Sequence, residues 1–325
     1  MAMIIQDTTI KNPLGKTGLV SKSLCDLVIN PAMGCPHGCS FCYVPSTPII
    51  RMNGSAFRKS GVEDAMADWG SYLFYRENTV EALRETLSRK RTWPQTLSGR
   101  GVVMMSSTTD PFINKRIGLM TEGCVTLLLE ANRRVRILTR SPSWMRLPET
   151  VELMQDPNLS LGMSIPTLDD DLSRQLEPKA PRPSDRLRAM KFAHSQGIRT
   201  YVAIAPTVPM MDKEGFKRLL SELMLFNPEV MFWEPINARG SNGDRMMQAG
   251  IDWAASVRDR KTWAENFERQ WGELRTAAED LGVLERIHPW LDSALIKEGK
   301  LVEEVHYWKS RPTVEKWPNL VLPEN

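Results

Sequence analysis

The stretch GCPHGCSFCY, residues 34–43, places three of the chain's five cysteines, Cys35, Cys39 and Cys42, within eight positions. Spacings this short would strain mutual disulfides, so a metal or catalytic role suits the thiols better than a disulfide framework. Three thiolates serve several soft or borderline metals. A structural zinc site is normally closed by four protein ligands, typically as two separated pairs. No second pair exists here, and the neighbouring His37 sits in a tight Pro-His-Gly turn two residues from Cys35 and from Cys39. A [4Fe–4S] cluster is usually held by four thiolates, so a three-thiolate loop leaves one iron without a protein ligand.

At 325 residues, 42% hydrophobic and 25% charged, the chain has the composition of a globular protein, with room for one large α/β domain or two smaller ones. Its longest apolar runs, such as VTLLLEA and LLSELMLF, are interrupted by charge and fall short of the ~20 residues of a membrane span. The N-terminal stretch lacks a basic region followed by an apolar one, so no secretory signal and a cytoplasmic location are expected. A net charge of +3 leaves the partner undecided, although SRKRTWPQTLSGR (88–100) and RRVRILTR (133–140) are locally basic.

From residue 24 to about 240, short apolar runs alternate with amphipathic stretches of helical length, the pattern of βα repeats around a parallel sheet. Strands are expected at 24–30, 101–107, 134–140, 159–165, 199–206 and 229–235. Helices are expected at 79–91, 121–133, 147–156, 184–197 and 213–226, with Ser184 as an N-cap and Gly197 as a C′ residue. After Gly243 a charged, Trp-rich helical stretch runs over roughly 245–282, followed by a Pro-containing tail. Its tryptophans read as packing anchors. The expected division is an N-terminal extension over 1–23, a core domain over 24–243 and a C-terminal helical extension over 244–325.

The CxxxCxxC pattern, with Phe41 before the last cysteine and the motif directly after the first expected strand, resembles the radical S-adenosylmethionine (SAM) superfamily. That resemblance implies an α/β fold, a partial (β/α)6 TIM-type parallel barrel, with a [4Fe–4S] cluster on Cys35, Cys39 and Cys42. In the superfamily the open iron chelates SAM, and reductive cleavage gives a 5′-deoxyadenosyl radical that abstracts a substrate hydrogen. NPAMGCPHGCSFCY, SSTTDPF (106–112), ILTRSP (137–142) and SIPTLDDDLSRQLEPKAPRPSDRL (164–187) are similar, more narrowly, to the spore photoproduct lyase branch.

Carried over by position, the resemblance implies that Thr108, Thr109 and Asp110 face the methionine amino group of SAM and Arg140 its carboxylate. A guanidinium suits that task because it holds a carboxylate through two hydrogen bonds. Ser164 is implied at the ribose, and Ala205 and Tyr43 at adenine. An electron donor such as flavodoxin or ferredoxin is implied as a partner. Independently, FWEPINARGSNGDR (232–245) is the most polar strand end of the core, so Glu234, Asn237, Arg239 and Asn242 are candidates for the substrate side.

In the photoproduct lyases a hydrogen-donating cysteine lies where this chain has Ser107-Thr108. A hydroxyl does not replace it, because O–H is much stronger than S–H. Cys25 and Cys124, each in an apolar run, read as buried small hydrophobes. The substrate class, whether small molecule, peptide or nucleic acid, stays open. A DNA-lesion repair lyase and a non-catalytic metal-binding protein are the competing readings.

Overall fold

A computed structural model describes residues 3–89 and 101–310. Most of the basic segment 88–100, the end of the helix expected over 79–91, and Trp317 therefore lie outside the described residues.

Eleven strands are described: β1 (Ile4–Thr8), β2 (Gly15–Lys16), β3 (Leu27–Ile29), β4 (Ala32–Met33), β5 (Tyr72–Arg76), β6 (Val103–Met105), β7 (Val135–Thr139), β8 (Leu159–Ser164), β9 (Thr200–Thr207), β10 (Met231–Pro235) and β11 (Ile287–Pro289). Eight form one sheet in the order β11-β10-β9-β8-β7-β6-β3-β2, parallel from β3 to β11, with β2 antiparallel on β3. The six expected strands are β3 and β6–β10. Together they make a partial (β/α)6 barrel.

Side chains alternate across each strand. Ile29, Met105, Ile137, Leu161, Val202 and Trp233 join the large core between sheet and helices. Their neighbours Val28, Met104, Leu138, Ala203 and Phe232 pack into a second cluster on the concave face. Strands apolar on both faces are what a sheet covered on both sides requires.

A three-stranded sheet, β1-β5-β4, lies beside the barrel; its strands are absent from the sequence reading. β5, YLFYR, is wholly buried, whereas three of the five residues of β1 are exposed. β11, also unread, joins β10 in parallel, so the region beyond Gly243 contributes a strand to the main sheet as well as helices.

Helix ends follow their caps. The helix Lys115–Glu130 starts ahead of the expected 121 because Asn114 caps it, Oδ1 accepting from Ile117 N at 3.0 Å. Ser184 is not an N-cap. The helix Pro183–Ser195 begins one residue earlier, with Pro183 in its first turn, and the Ser184 hydroxyl donates to Asp170 Oδ2 at 2.6 Å. Gly197 does follow the helix in the left-handed region, at φ +69°. The long helix expected over 245–282 is broken into Asn242–Gln248, Ala254–Arg258 and Arg260–Asp280, the last capped by Asp259. Trp263 and Trp271 are buried, and Trp271 stacks on Trp233 at 5.7 Å between ring centres. Among the described residues no helix is long and apolar enough to cross a membrane.

The sheet is open between β2 and β11. Its ends are bridged by a 3₁₀ turn, Gly18–Lys22, whose Lys22 carbonyl accepts from Trp290 Nε1 at 2.8 Å. The Lys22 ammonium lies 4.8 Å from the Trp290 ring centre.

Inside the barrel Gly162 admits the Tyr201 ring, because a Cβ there would stand 2.2 Å from Tyr201 Cζ. Gly162→Ala should therefore destabilise the fold by about 1–3 kcal/mol, the usual cost of overpacking. Urea unfolding checks this, and an unchanged midpoint would refute it.

Candidate functional site

The C-terminal ends of the parallel strands surround one cavity of about 840 Å³. Cys35, Cys39 and Cys42 line one part of it. Tyr43, Thr108, Thr109, Asp110, Arg140, Ser164 and Ala205 line it too, as do Glu234, Asn237 and Arg239. Every residue singled out for cluster, cofactor or substrate thus faces the same space, with the exception of Asn242.

Close backbone packing sets the cysteine loop. Gly34 has φ +92°, and a Cβ there would meet Tyr72 O at 2.4 Å. A Cβ on Gly70 would lie 2.7 Å from Gly38 Cα. Turns run from Gly38 N to Cys35 O, 3.2 Å, and from Cys42 N to Cys39 O, 3.1 Å. The loop is also held from outside: Ser40 N donates to Leu176 O at 2.9 Å, Asn242 Nδ2 to Phe41 O at 2.8 Å, and Arg245 Nη2 to Cys42 O. Asn242, 1% exposed, is thus a staple for the loop and not a cavity residue, which corrects its expected place on the substrate side.

Burial pushes the Cys35 thiol up to about 12, with the Asp110 carboxylate adding to the effect. Burial likewise raises Cys39 and Cys42, with Glu177 adding to it at Cys39 and Arg140 opposing it at both. Three thiols on one cavity wall, Cys39 buried and Cys35 and Cys42 half-buried, suit a cationic centre that replaces their protons. A [4Fe–4S] cluster presents a separate iron to each thiolate, so three thiols on one loop hold three of its irons. The donor set fits a [4Fe–4S] cluster. His37 is 4% exposed, and burial lowers its pKa; its Nδ1 lies 4.0 Å from Asp110 Oδ2.

The strand ends are organised by two acceptors. Asn30 Oδ1 takes Ser106 Oγ at 3.0 Å, Ser107 N at 2.6 Å and Thr108 N at 3.1 Å, gathering the end of β6 onto β3. Asp110 takes Thr139 Oγ1 at 2.8 Å, Arg140 N at 2.7 Å and Phe112 N at 2.9 Å, joining the loops after β6 and β7. The Thr108 hydroxyl is spent on Ala32 O at 2.6 Å. Thr109 Oγ1 is different: it is buried at the cavity without a hydrogen-bond partner. Ser164 Oγ donates to Ala205 O at 2.8 Å and so ties β8 to β9.

Arg140 belongs to a triad whose other two members are buried and which no sequence motif marks. Its Nε donates to Glu177 Oε1 at 2.7 Å, and Arg186 Nη2 donates to Glu177 Oε2. Glu177 is 2% exposed, and Arg186 is 0% exposed. Burial alone would raise the Glu177 carboxyl, but the two guanidiniums hold it down at about 2.

Elsewhere on the cavity wall Lys22 pairs with Glu234, to which Asn237 Nδ2 also donates at 3.1 Å. Arg239 pairs with Asp292 and lies 5.6 Å from the Tyr43 ring centre. Trp290 stacks on Phe232 and lines the cavity, so this tryptophan is a wall of the site as well as a packing anchor. Lys22, Asp292 and Trp290 lie outside the βα repeats, and no motif marks them.

The family follows from comparison. The model of the radical SAM superfamily matches residues 29–223, more than half of the chain, and the chain belongs to that superfamily. Members use a [4Fe–4S] cluster with SAM and need a reductant. An uncharacterized protein, ORF301, of the Acidianus two-tailed virus is 29% identical over 236 residues, covering 70% of this chain and 73% of its own length. An uncharacterized protein of Mycobacterium tuberculosis is 26% identical over 191 residues, and the match spans 51% of its length. Among solved structures, a spore photoproduct lyase mutant has TM-score 0.60 at 14% identity, covering 88% of this chain and 81% of that one. Another mutant of that lyase, with bound AdoMet and dinucleoside spore photoproduct, has TM-score 0.56 at 12% identity, covering 83% and 77%. At these identities the likeness is one of fold.

Because Glu177 titrates at about 2 when folded against an ordinary 4.5, its ionised form contributes stability that is present above about pH 4.5 and lost as pH falls toward 2. Acid titrations of unfolding should show this dependence in the wild-type chain and lose it in Glu177→Gln. Parallel curves would contradict the assignment.

Proposed function

We propose that this chain is a radical SAM enzyme in which Cys35, Cys39 and Cys42 carry the cluster and the part of the same cavity lined by Glu234, Asn237 and Arg239 takes the substrate. One observation carries the reading: the three thiols, the strand-end residues Thr109 and Arg140, and the polar group Glu234–Asn237–Arg239 share a single cavity. Its volume of about 840 Å³ is large for a ligand site, most of which span roughly 300–1,000 Å³, and leaves room for cofactor and substrate together.

Held by Cys35, Cys39 and Cys42, the cluster would supply the electron for reductive cleavage of SAM, the chemistry by which a hydrogen would be taken from a substrate carbon. Thr109 Oγ1, without a partner of its own, accepts a hydrogen bond from the cofactor's ammonium group. Arg140 binds the cofactor's carboxylate with its amino groups. Asp110, fully engaged with its neighbours, shapes the pocket through Thr139 and the Arg140 backbone. Ser164 and Ala205, joined by a hydrogen bond, stand at the ribose, and Tyr43 with Ala205 borders adenine. Glu234, Asn237 and Arg239 orient the substrate. The electron comes from a low-potential donor such as flavodoxin or ferredoxin.

Cys25 and Cys124 are buried away from the cavity, which is lined by the three loop thiols alone among the chain's cysteines. This supports a route in which hydrogen is not returned to the substrate by a thiol of the chain. Repair of a DNA lesion, suggested by the fold likeness, would need another donor. Salt-dependent DNA binding separates the substrate classes, since phosphate contacts give a steep loss of affinity with salt.

Anaerobic reconstitution should give a brown protein with broad absorption near ~400 nm, and dithionite with SAM should release 5′-deoxyadenosine. Cys35→Ala, Cys39→Ala and Cys42→Ala should each abolish both, while Cys25→Ala and Cys124→Ala retain them. A colourless protein holding one zinc would sink the proposal.

A further inference from the structure

Behind the cavity wall, the Arg140–Glu177–Arg186 triad is built more completely than a loop anchor requires. Neither Glu177 nor Arg186 touches the cavity. All the nitrogens of Arg186 are engaged: Nη1 donates to Ser164 O at 3.0 Å, Nε to Pro181 O at 2.8 Å and Nη2 to Glu177 Oε2. Glu177 Oε2 also accepts from Ser173 Oγ at 3.3 Å. The carboxylate is therefore fixed from behind, and its other oxygen, Oε1, is a stationary acceptor for Arg140 Nε.

Arg140 stands between that acceptor and the cavity. Its guanidinium lies 5.5 Å from the Phe41 ring centre, on the cysteine loop, and its amino end makes only a long contact, 3.5 Å, to Ala205 O. One carboxylate faces two guanidiniums, so one positive charge is left over. Because the donors of Arg186 are spent within the protein, that surplus is presented by Arg140 at the cavity wall. Tethering at Nε leaves the amino end to a planar anion.

We propose, resting on the radical SAM reading above, that Glu177 is a positioning residue that aims the Arg140 guanidinium at the cofactor carboxylate. Arg186 locks Glu177 in turn. Without the tether the Arg140 side chain is free to turn toward the thiolates beside it, and a carboxylate ligand must then pay the cost of reordering it.

The test uses the full-length reconstituted protein and reads SAM binding from the change that SAM makes in the EPR spectrum of the dithionite-reduced cluster. Iron content is measured alongside. Glu177→Gln should keep its iron and raise the half-saturating SAM concentration between roughly tenfold and a hundredfold, the loss expected for a charge-assisted contact. The rate of 5′-deoxyadenosine release at saturating SAM should change much less. Glu177→Asp, which keeps the charge on a shorter stem, should restore part of the affinity. Since Glu177→Gln leaves Arg186 buried without its anion, the double variant Glu177→Gln, Arg186→Gln keeps the test valid should the single variant fail to fold, and it should show the same weakened binding.

Wild-type SAM affinity in a folded variant lacking the carboxylate would overturn the proposal. So would a loss of iron and fold in parallel with SAM affinity that Glu177→Asp does not repair, since that marks a purely structural role. A wild-type cluster whose spectrum ignores SAM would overturn the functional reading itself, a result distinct from either.

Discussion

Side chains alternate with a period of two along a strand, and in this molecule that constraint decides what meets what. Residues 29, 105, 137, 161 and 233 point to the helices and are apolar. On the opposite parity, Asn30, Ser106, Arg140, Ser164, Ala205 and Glu234 face the cavity at or near the ends of their strands, each two residues beyond an inward-facing member of its own strand. A slip of one residue in any strand would exchange the two sets, burying an arginine or a glutamate among leucines. The chemistry of the site is thus tied to the same register that builds the core.

Against this rigid rim the cysteine loop is assembled by contacts from distant parts of the chain. Leu176 O receives Ser40, Asn242 and Arg245 bind the carbonyls of Phe41 and Cys42, and Tyr72 crowds Gly34. The loop is therefore fixed by backbone hydrogen bonds and close packing, and the thiols need not supply the order themselves. Desolvated thiols in such a frame hold their protons until a cation replaces them, so the frame suits a metal centre.

Much of this was legible in the sequence, for identifiable reasons. The six parallel strands are short and apolar, a strong signal because both faces of each are covered. The cysteine motif and the strand ends after SSTTDP and ILTR are local patterns, so their placement around one cavity could be read in advance. Glu177, Lys22 and Trp290 could not. Their partners lie 37, 212 and 268 positions away, and nothing in an EP dipeptide or an isolated tryptophan records such a pairing. The same holds for Asn242, whose amide looks like a cavity group until its bond to the Phe41 carbonyl is seen. β1, β4 and β5 escaped notice because they pair only with one another, outside the repeat that reveals the rest.

The bridge between Lys22 and Trp290 gives the barrel a seam. Elsewhere its wall from β3 to β11 is a ladder of backbone hydrogen bonds, whereas along this line one indole hydrogen bond, an ammonium over a ring and the Lys22–Glu234 ion pair hold the two sides together. Side-chain contacts of this kind contribute about 1 kcal/mol each in net terms, far less than a strand pairing with its packed side chains. The apolar cluster that joins Leu24 and Val28 to Phe232 and Trp290 backs these contacts. Because Glu234 and Trp290 also line the cavity, this seam is at the same time a wall of the site.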